Sequence, residues 1–295
     1  MFKNIFGEQM AKTNYLNNKD ILLEIHKSKM SFCWVKSQNH YDFDVIVDHV
    51  DEIDDNAIQT ARINKSQKLK EVNYKAAVAE YSGPANKKPR QKEFIVEPDS
   101  FALEELTFRV MEFDHIPDEP GRKNNPKNIA ETKVKLNFLP FKHYAFKDDE
   151  LIEVARSHWE GGPKSGKFDL TKGTITPKLG HMFLKLVERY SQRANWRGYT
   201  YVDEMRGQAL VQLAQIGLQF NEAKSDNPFA YYTAAITNSF TRVLNIEKRN
   251  QNIRDDLLIE AGQLPSFTRQ IKHDEETKAI RELAKQENTN LDESI

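Results

Sequence analysis

The segment "DNPFAYYTAAITNSFTRVLNIEKR" (226–249) decides the fold of the C-terminal half. Asn227 is a good helix N-cap and Pro228 suits the first helical position, so the spacing predicts a helix from this point. Residues at helical spacing form an apolar face that points to a core: Phe229, Tyr232, Ile236, Phe240 and Val243. A second row on the same helix is polar and ends in cations: Tyr231, Asn238, Arg242, Asn245 and Arg249.

The preceding segment, "DEMRGQALVQLAQIGLQF" (203–220), repeats this two-faced pattern. One stripe is apolar and predicts a buried face: Met205, Ala209, Leu213, Ile216 and Phe220. One residue earlier runs a polar ladder with little charge: Glu204, Gln208, Gln212, Gln215 and Gln219. An ordinary solvated face and a face that contacts another protein both fit this ladder.

Further helices are predicted before this pair. "TPKLGHMFLKLVERYSQRA" (176–194) has Thr176 as its cap, and "YLNNKDILLEIHKSK" (15–29) can be capped by Asn17 or Asn18. We also predict helices at 54–69 and at 148–159, the latter because two Asp residues precede an apolar pattern. The charged segment after residue 270 predicts a last helix that ends in a disordered tail.

The first half of the chain alternates short β-type runs with Pro-rich basic loops. Strands are predicted at 43–50, 93–98, 105–116 and 131–138, and loops at 82–92 and 117–128. We therefore expect a mixed fold with three parts. An N-terminal α+β (or α/β) region covers 1–146, an all-α helical domain covers 147–260, and a charged C-terminal helix and tail cover 261–295.

The composition of the chain excludes several classes of functional site. The 295 residues carry a net charge of −1 and a single cysteine, Cys33, so we expect neither a disulfide nor a Cys-rich zinc site. No apolar run approaches the length of a membrane span. "GGPKSGK" (161–167) has the spacing of a phosphate-binding loop, but Phe168 stands next where that loop needs Ser or Thr. We predict an interhelical loop there, no enzymatic activity and no cofactor.

The polar row of the 226–249 helix has the chemistry of a nucleic-acid surface. Arg and Lys neutralise phosphates, Asn reads base edges, and an aromatic ring stacks on an unpaired base. The alternative is that Tyr231 packs locally and the Arg side chains are merely solvated.

The residues 197–249 resemble region 2 of sigma-70 family transcription initiation factors, and are most similar to the late-transcription sigma factors of T-even-like phages. The resemblance rests on Gly198-Tyr-Thr, Glu204-Met205, the Phe220-Asn-Glu turn, Asn227-Pro228 with Ala230-Tyr231, and the basic end of the segment. It is clear over about 175–260.

The resemblance implies two binding surfaces. The first docks on the clamp helices of the largest subunit of host core RNA polymerase and matches Glu204, Gln208, Gln212 and Gln215. The second melts and reads a −10-like element of promoter DNA. Its matching positions, with the neighbouring polar and basic residues, are Phe229, Tyr231, Tyr232, Asn238, Thr241, Arg242, Asn245, Lys248, Arg249 and Arg254.

The sequence also departs from the family. Ala234 and Ala235 stand where primary sigma factors have a tryptophan pair, and nothing after residue 260 resembles region 4. The family relies on a co-activator and the sliding clamp, which we expect as further partners, although its clamp-binding tail is hydrophobic and "NTNLDESI" (288–295) is polar. The N-terminal region is expected to contact another polymerase surface, such as the β flap, or upstream DNA.

The sequence thus predicts a phage late-transcription sigma factor that acts in the cytoplasm of an infected bacterium. The alternative is an RNA polymerase-binding regulator, of the anti-sigma or appropriation type, that does not itself read promoter DNA. A third hypothesis is a stand-alone DNA-binding protein.

Overall fold

The computed structural model describes residues 16–84, 88–117 and 136–292, with side chains described as far as residue 283. The described part is a mixed structure, as predicted. Its helices are α1 (Asn18–Met30), α2 (Asp55–Glu80), α3 (Pro177–Ser191), α4 (Val202–Ile216), α5 (Pro228–Glu260) and α6 (Phe267–Asp292).

A small sheet is built mostly from the first half of the chain. Its five strands are β1 (Trp34–Val35), β2 (Val45–Val47), β3 (Phe108–Val110), β4 (Lys142–Lys147) and β5 (Glu150–Arg156), in the order β1-β5-β4-β3-β2. The neighbours are antiparallel except β2 and β3, which are parallel. A separate hairpin pairs β6 (Trp159–Glu160) with β7 (Lys167–Phe168).

The predicted helix starts agree with the structure because local hydrogen bonds fix them. Asn17 caps α1 by accepting from Asp20 N at 2.7 Å, and Asn227 caps α5 by accepting from Ala230 N at 3.1 Å. Thr176 caps α3 in the same way. α2 and α5 both continue well beyond the predicted ends, to Glu80 and Glu260.

The predicted helix at 148–159 is wrong, because this segment forms the turn and second strand of a hairpin. Asp148 and Asp149 have positive φ of 51° and 63°, as a two-residue type I′ turn requires. β5 then pairs with β4 over its length. An Asp pair before an apolar pattern is typical of a helix cap, yet Asp also tolerates the left-handed region that this turn uses.

Other predictions need correction or lie outside the description. Residues 93–98 are not a strand. The segment predicted as an interhelical loop, 161–167, instead connects two strands, through residues 161–166, and enters β7 at Lys167. Residues 136–138 do not form a strand, while residues 131–135 and most of the loop at 117–128 lie outside the described residues. The boundary placed between residues 146 and 147 falls inside β4.

The main hydrophobic core joins helices from both halves of the sequence. Ile21 and Ile25 of α1 pack in the same cluster as the apolar faces of α3, α4 and α5. Phe138 and Phe141, which lead into β4, complete this cluster. A smaller core lies between α2 and the sheet and contains Ala61, Phe101, Leu106 and Phe108.

A buried charge cluster connects the sheet to the helices. Lys29 of α1 donates to Phe220 O at 2.8 Å and to Glu222 Oε2 at 2.5 Å. Arg109 of β3 is fully buried between the rings of Phe43 and Phe141, each 3.9 Å from its guanidinium carbon, and lies 3.8 Å from Glu222. We name Lys29, Arg109 and Glu222 the buried ion cluster.

The guanidinium of Arg109 also fixes the protonation of two histidines. It donates to His26 Nδ1 at 3.0 Å and to His143 Nε2 at 3.1 Å, so both ring nitrogens must be acceptors and both rings neutral. Burial and the charge of Arg109 lower the pKa of His26 to about 3 and hold the pKa of His143 well below its ordinary value. Burial likewise lowers the pKa of His158 to about 3.

Removing the carboxylate of the buried ion cluster should destabilise the fold. Burial opposes ionisation of Glu222, but Lys29 and Arg109 outweigh it and keep its pKa below the ordinary value. Glu222→Gln leaves two buried cations without a counter-charge, so we expect the free energy of unfolding to fall by about 3 kcal/mol or more in urea denaturation. The control, Glu71→Gln, removes an exposed pair with Lys19 and should cost under about 1 kcal/mol. Equal losses for the two variants would contradict the role of the cluster.

The buried neutral histidines predict a loss of stability in mild acid. The pKa values of His26 and His158 are lowered to about 3 in the folded state, whereas the same histidines in the unfolded chain keep the ordinary value of 6.5. Below about pH 6.5 the unfolded chain therefore binds protons that the folded chain does not bind. The free energy of unfolding should therefore decrease between about pH 6 and about pH 5, with a slope of up to about 1.4 kcal/mol per pH unit for each histidine. His158→Gln should make the slope in urea titrations shallower, and an unchanged slope would be the contrary result.

Candidate nucleic-acid and protein interface

α4 and α5 lie side by side and run in opposite directions. At one end, Tyr232 of α5 donates its hydroxyl to Gly217 O at 2.6 Å, just after α4 ends. At the other end, Glu204 in the first turn of α4 lines the same groove as Ile246 of α5, so the start of α4 lies near this residue. The two helices that carry the predicted site are therefore antiparallel neighbours.

A groove of about 540 Å³ runs between these helices. On the α4 side it is lined by the predicted polymerase-binding residues Glu204, Gln208, Gln212 and Gln215. On the α5 side it is lined by Tyr231, Asn238 and Arg242, from the predicted DNA-binding row. The sequence predicts these rows as separate surfaces, whereas the structure makes them the two walls of one groove, which we name the α4–α5 groove.

The basic end of the α5 row is exposed. Asn238, Thr241, Arg242, Asn245 and Arg249 line an open depression along the helix. Neither these two arginines nor Lys248 and Arg254 form an ion pair with any residue in the described part of the chain. Unpaired cations beside exposed asparagines provide charge for a phosphate backbone and donors for base edges.

Tyr232 does not belong to this surface. It is fully buried, its ring packs edge-on against Phe183 with the ring centroids 4.9 Å apart, and its hydroxyl is already bonded to Gly217 O. The DNA-binding assignment of Tyr232 is therefore not supported, because its ring cannot reach a base without unfolding the core. The other prediction for Tyr232, that it belongs to the apolar face of this helix, is confirmed.

The other two aromatic candidates lie on different sides of α5. Tyr231 is half-buried in the α4–α5 groove and packs edge-on against Phe220, with the ring centroids 5.6 Å apart. Phe229 is 39% exposed, contrary to the prediction that it faces the core. Phe229 lines a second pocket, of about 560 Å³, with Asn18, Arg189 and Arg193. Only Tyr231 adjoins the Asn and Arg row.

The groove also contains apolar residues that sequence reasoning missed. Val211 on α4 is 54% exposed and Ile246 on α5 is 49% exposed, and both line the groove. Val211 is an apolar residue between Gln208 and Gln212 of the Gln ladder. This break in the polar pattern is the sequence signal that could have identified Val211 as part of the groove. These side chains make the groove amphipathic and thus suited to a protein ligand as well as to DNA.

Other kinds of site find no support in the described residues. No group of three or more His, Cys, Asp and Glu among them could hold a metal ion. No helix within the same ranges is long and apolar enough to cross a membrane.

Comparison with known proteins leaves the family open. The sequence matches no protein-family model, and no curated protein or solved structure matches it. The function is therefore inferred from the geometry of the groove and from the residues that resemble sigma region 2.

The two neighbouring tyrosines should differ sharply in their structural role. Tyr232→Ala removes a fully buried ring and should lower the free energy of unfolding by about 3–5 kcal/mol, and Tyr232→Phe, which loses only the bond to Gly217 O, by about 1 kcal/mol. Tyr231→Ala should cost less than Tyr232→Ala because its ring is half-buried. Urea denaturation followed by circular dichroism measures all three, and a larger loss for Tyr231→Ala would reverse these assignments.

Proposed function

We propose that this protein is a sigma-type transcription initiation factor of the phage late class, which binds host core RNA polymerase and directs it to a −10-like promoter element. The observation that carries the proposal is the α4–α5 groove. A Gln ladder and an unpaired Asn–Arg row, which match the two binding surfaces of sigma region 2, lie on its two walls.

Polymerase binding is assigned to the α4 wall. Glu204, Gln208 and Gln215 are exposed and Gln212 is half-buried, so their amide and carboxylate groups are free to bond across an interface. Uncharged amides cost less to desolvate than charged groups, provided that they form hydrogen bonds with the partner, which suits a face that a partner helix buries. The exposed Val211 adds an apolar contact in the middle of this wall.

Promoter binding is assigned to the α5 wall and the depression beside it. Arg242, Arg249 and Lys248 neutralise the phosphates of the separated strands. Asn238 and Asn245, which lie one row along the helix, bond to base edges. Tyr231 stacks on an unpaired base, a contact worth about 1–3 kcal/mol, after its ring turns out from its contact with Phe220.

A second function is favoured by one observation. Tyr232 is buried and Phe229 lies on another side of α5, so Tyr231, which is half-buried, is the one predicted aromatic residue that the described structure places beside the Asn–Arg row. A protein that binds polymerase through the groove and blocks or alters initiation, without opening DNA, would need no more than this. The rival is therefore an RNA polymerase-binding regulator.

Transcription in vitro separates the two functions. Core polymerase with this protein should start RNA synthesis at an A·T-rich late promoter, because a sigma-type factor supplies the strand opening that core enzyme lacks. Permanganate reactivity of thymines near the start site measures the opening directly. Core binding without any transcript or reactive thymine would favour the regulator, and duplex binding without polymerase would favour a stand-alone DNA-binding protein.

Variants of the two walls should fail in different ways. Tyr231→Ala should retain core binding but reduce permanganate reactivity about tenfold or more, since one stacked base is lost. Glu204→Ala with Gln208→Ala should instead weaken binding to core enzyme, as measured by biolayer interferometry. If Tyr231→Ala removed core binding while the double variant did not, the assignment of the walls would be wrong.

A further inference from the structure

α5 extends far beyond the helix that it packs against. It has 33 residues, while α4 has only 15, and Glu204 in the first turn of α4 lines the same groove as Ile246. The last residue of α5 in the buried apolar core is Val243. The last four turns of α5 therefore project past α4 without this neighbour, and we name residues 247–260 the overhang.

The overhang continues the face of α5 that α4 covers between Ala235 and Val243. Ala235 and Ser239 line the α4–α5 groove, and Ile246, Ile253 and Leu257 come next on the same side of the helix at steps of seven, seven and four residues. Ile246, in the groove, is 49% exposed, and Ile253 and Leu257, which we name the overhang stripe, are 48% and 59% exposed. A face that is buried near Ala235 is thus left uncovered and apolar at Leu257.

The overhang is held in place by the turn after it. Asp255 is buried and accepts two hydrogen bonds from Ser266, from its N–H at 2.8 Å and its hydroxyl at 2.7 Å. Gly262, at φ of 69°, allows the chain to turn back after α5, and Gln263 N donates a hydrogen bond to Leu258 O at 2.8 Å. The stripe is therefore presented by an ordered helix end, as a preformed binding surface requires.

Charges beside the stripe indicate the kind of partner. Arg242 and Arg249 border it on one side and Arg254 on the other, and none of them has an ion-pair partner among the described residues. Two carboxylates lie beside the far end of the stripe, but Asp256 is paired with Arg269, so the unpaired arginines outnumber the one remaining carboxylate, Glu260. An amphipathic helix with an apolar stripe and acidic flanks complements this arrangement, in the way that helices bind in grooves. Duplex DNA would satisfy the cations but not the exposed Ile253 and Leu257.

We propose that the overhang stripe extends the polymerase-binding surface. A single partner helix with acidic flanks lies along the α4 wall of the α4–α5 groove and continues past the start of α4 onto Ile253 and Leu257. From Ala235 to Leu257 this surface is about 33 Å long, against about 17 Å for the ladder from Glu204 to Gln215. The inference rests on the proposed function, in which the partner helix belongs to the clamp of core RNA polymerase.

The test introduces charge into the stripe and, as a control, into the opposite side of the same helix end. Ile253→Asp with Leu257→Asp should weaken binding to purified bacterial core RNA polymerase at least about tenfold, because acidic groups replace buried apolar contacts and meet acidic flanks. Asn252→Asp with Ile259→Asp adds the same charge to exposed positions away from the stripe and should change the affinity less than about twofold. The milder Ile253→Ala with Leu257→Ala should fall between them, and circular dichroism checks that each variant is helical.

The outcomes distinguish this inference from the proposed function. If the stripe variants bind core enzyme normally while Glu204→Ala with Gln208→Ala binds weakly, the stripe is not part of the surface and the proposed function stands. If the unaltered protein does not bind core enzyme, the proposed function fails and the inference with it. If the stripe variants instead abolish self-association in sedimentation experiments and leave core binding intact, the stripe pairs two copies of this chain and the inference is overturned.

Discussion

The buried ion cluster is the constraint on which the rest of the structure depends. Arg109 lies in the sheet, Lys29 in α1, and Glu222 in the turn between α4 and α5. Three charges in a water-poor site are tolerable only when each has a partner, so these three elements must meet in one arrangement. Because Lys29 also bonds to Phe220 O, the same cluster fixes the turn that sets α5 against α4.

That arrangement determines what the groove can bind. Once the turn at 217–222 is fixed, the Gln ladder and the Asn–Arg row face each other across a groove instead of pointing in unrelated directions. Under the proposed function, the polymerase helix and the separated DNA strand would be neighbours in this groove, so each would affect the binding of the other. The half-buried ring of Tyr231 lies where the two ligands would meet, next to the turn itself.

Where sequence reasoning failed, the missing information was nonlocal. Asp148 and Asp149 can cap a helix or form a hairpin turn, and the choice depends on the pairing of residues 142–147 with residues 150–156. α2 and α5 run past their predicted ends, because polar positions do not end a helix without a glycine or proline signal. The role of Arg109 could not be predicted, because its partners His26, His143 and Glu222 are far apart in the sequence.

The sequence by itself determined the helix caps at Asn17, Thr176 and Asn227, the buried stripe of α4, the buried stripe of α5 apart from Phe229, and the composition of both polar rows. These features depend on residue type and on the 3.6-residue period of a helix. It left Tyr232 with two incompatible roles. Only the tertiary structure decided that this ring is buried, that Phe229 lies in another pocket, and that the two rows form one groove. Those outcomes depend on how α4 lies against α5, which is set by contacts between distant residues and not by the pattern within either helix.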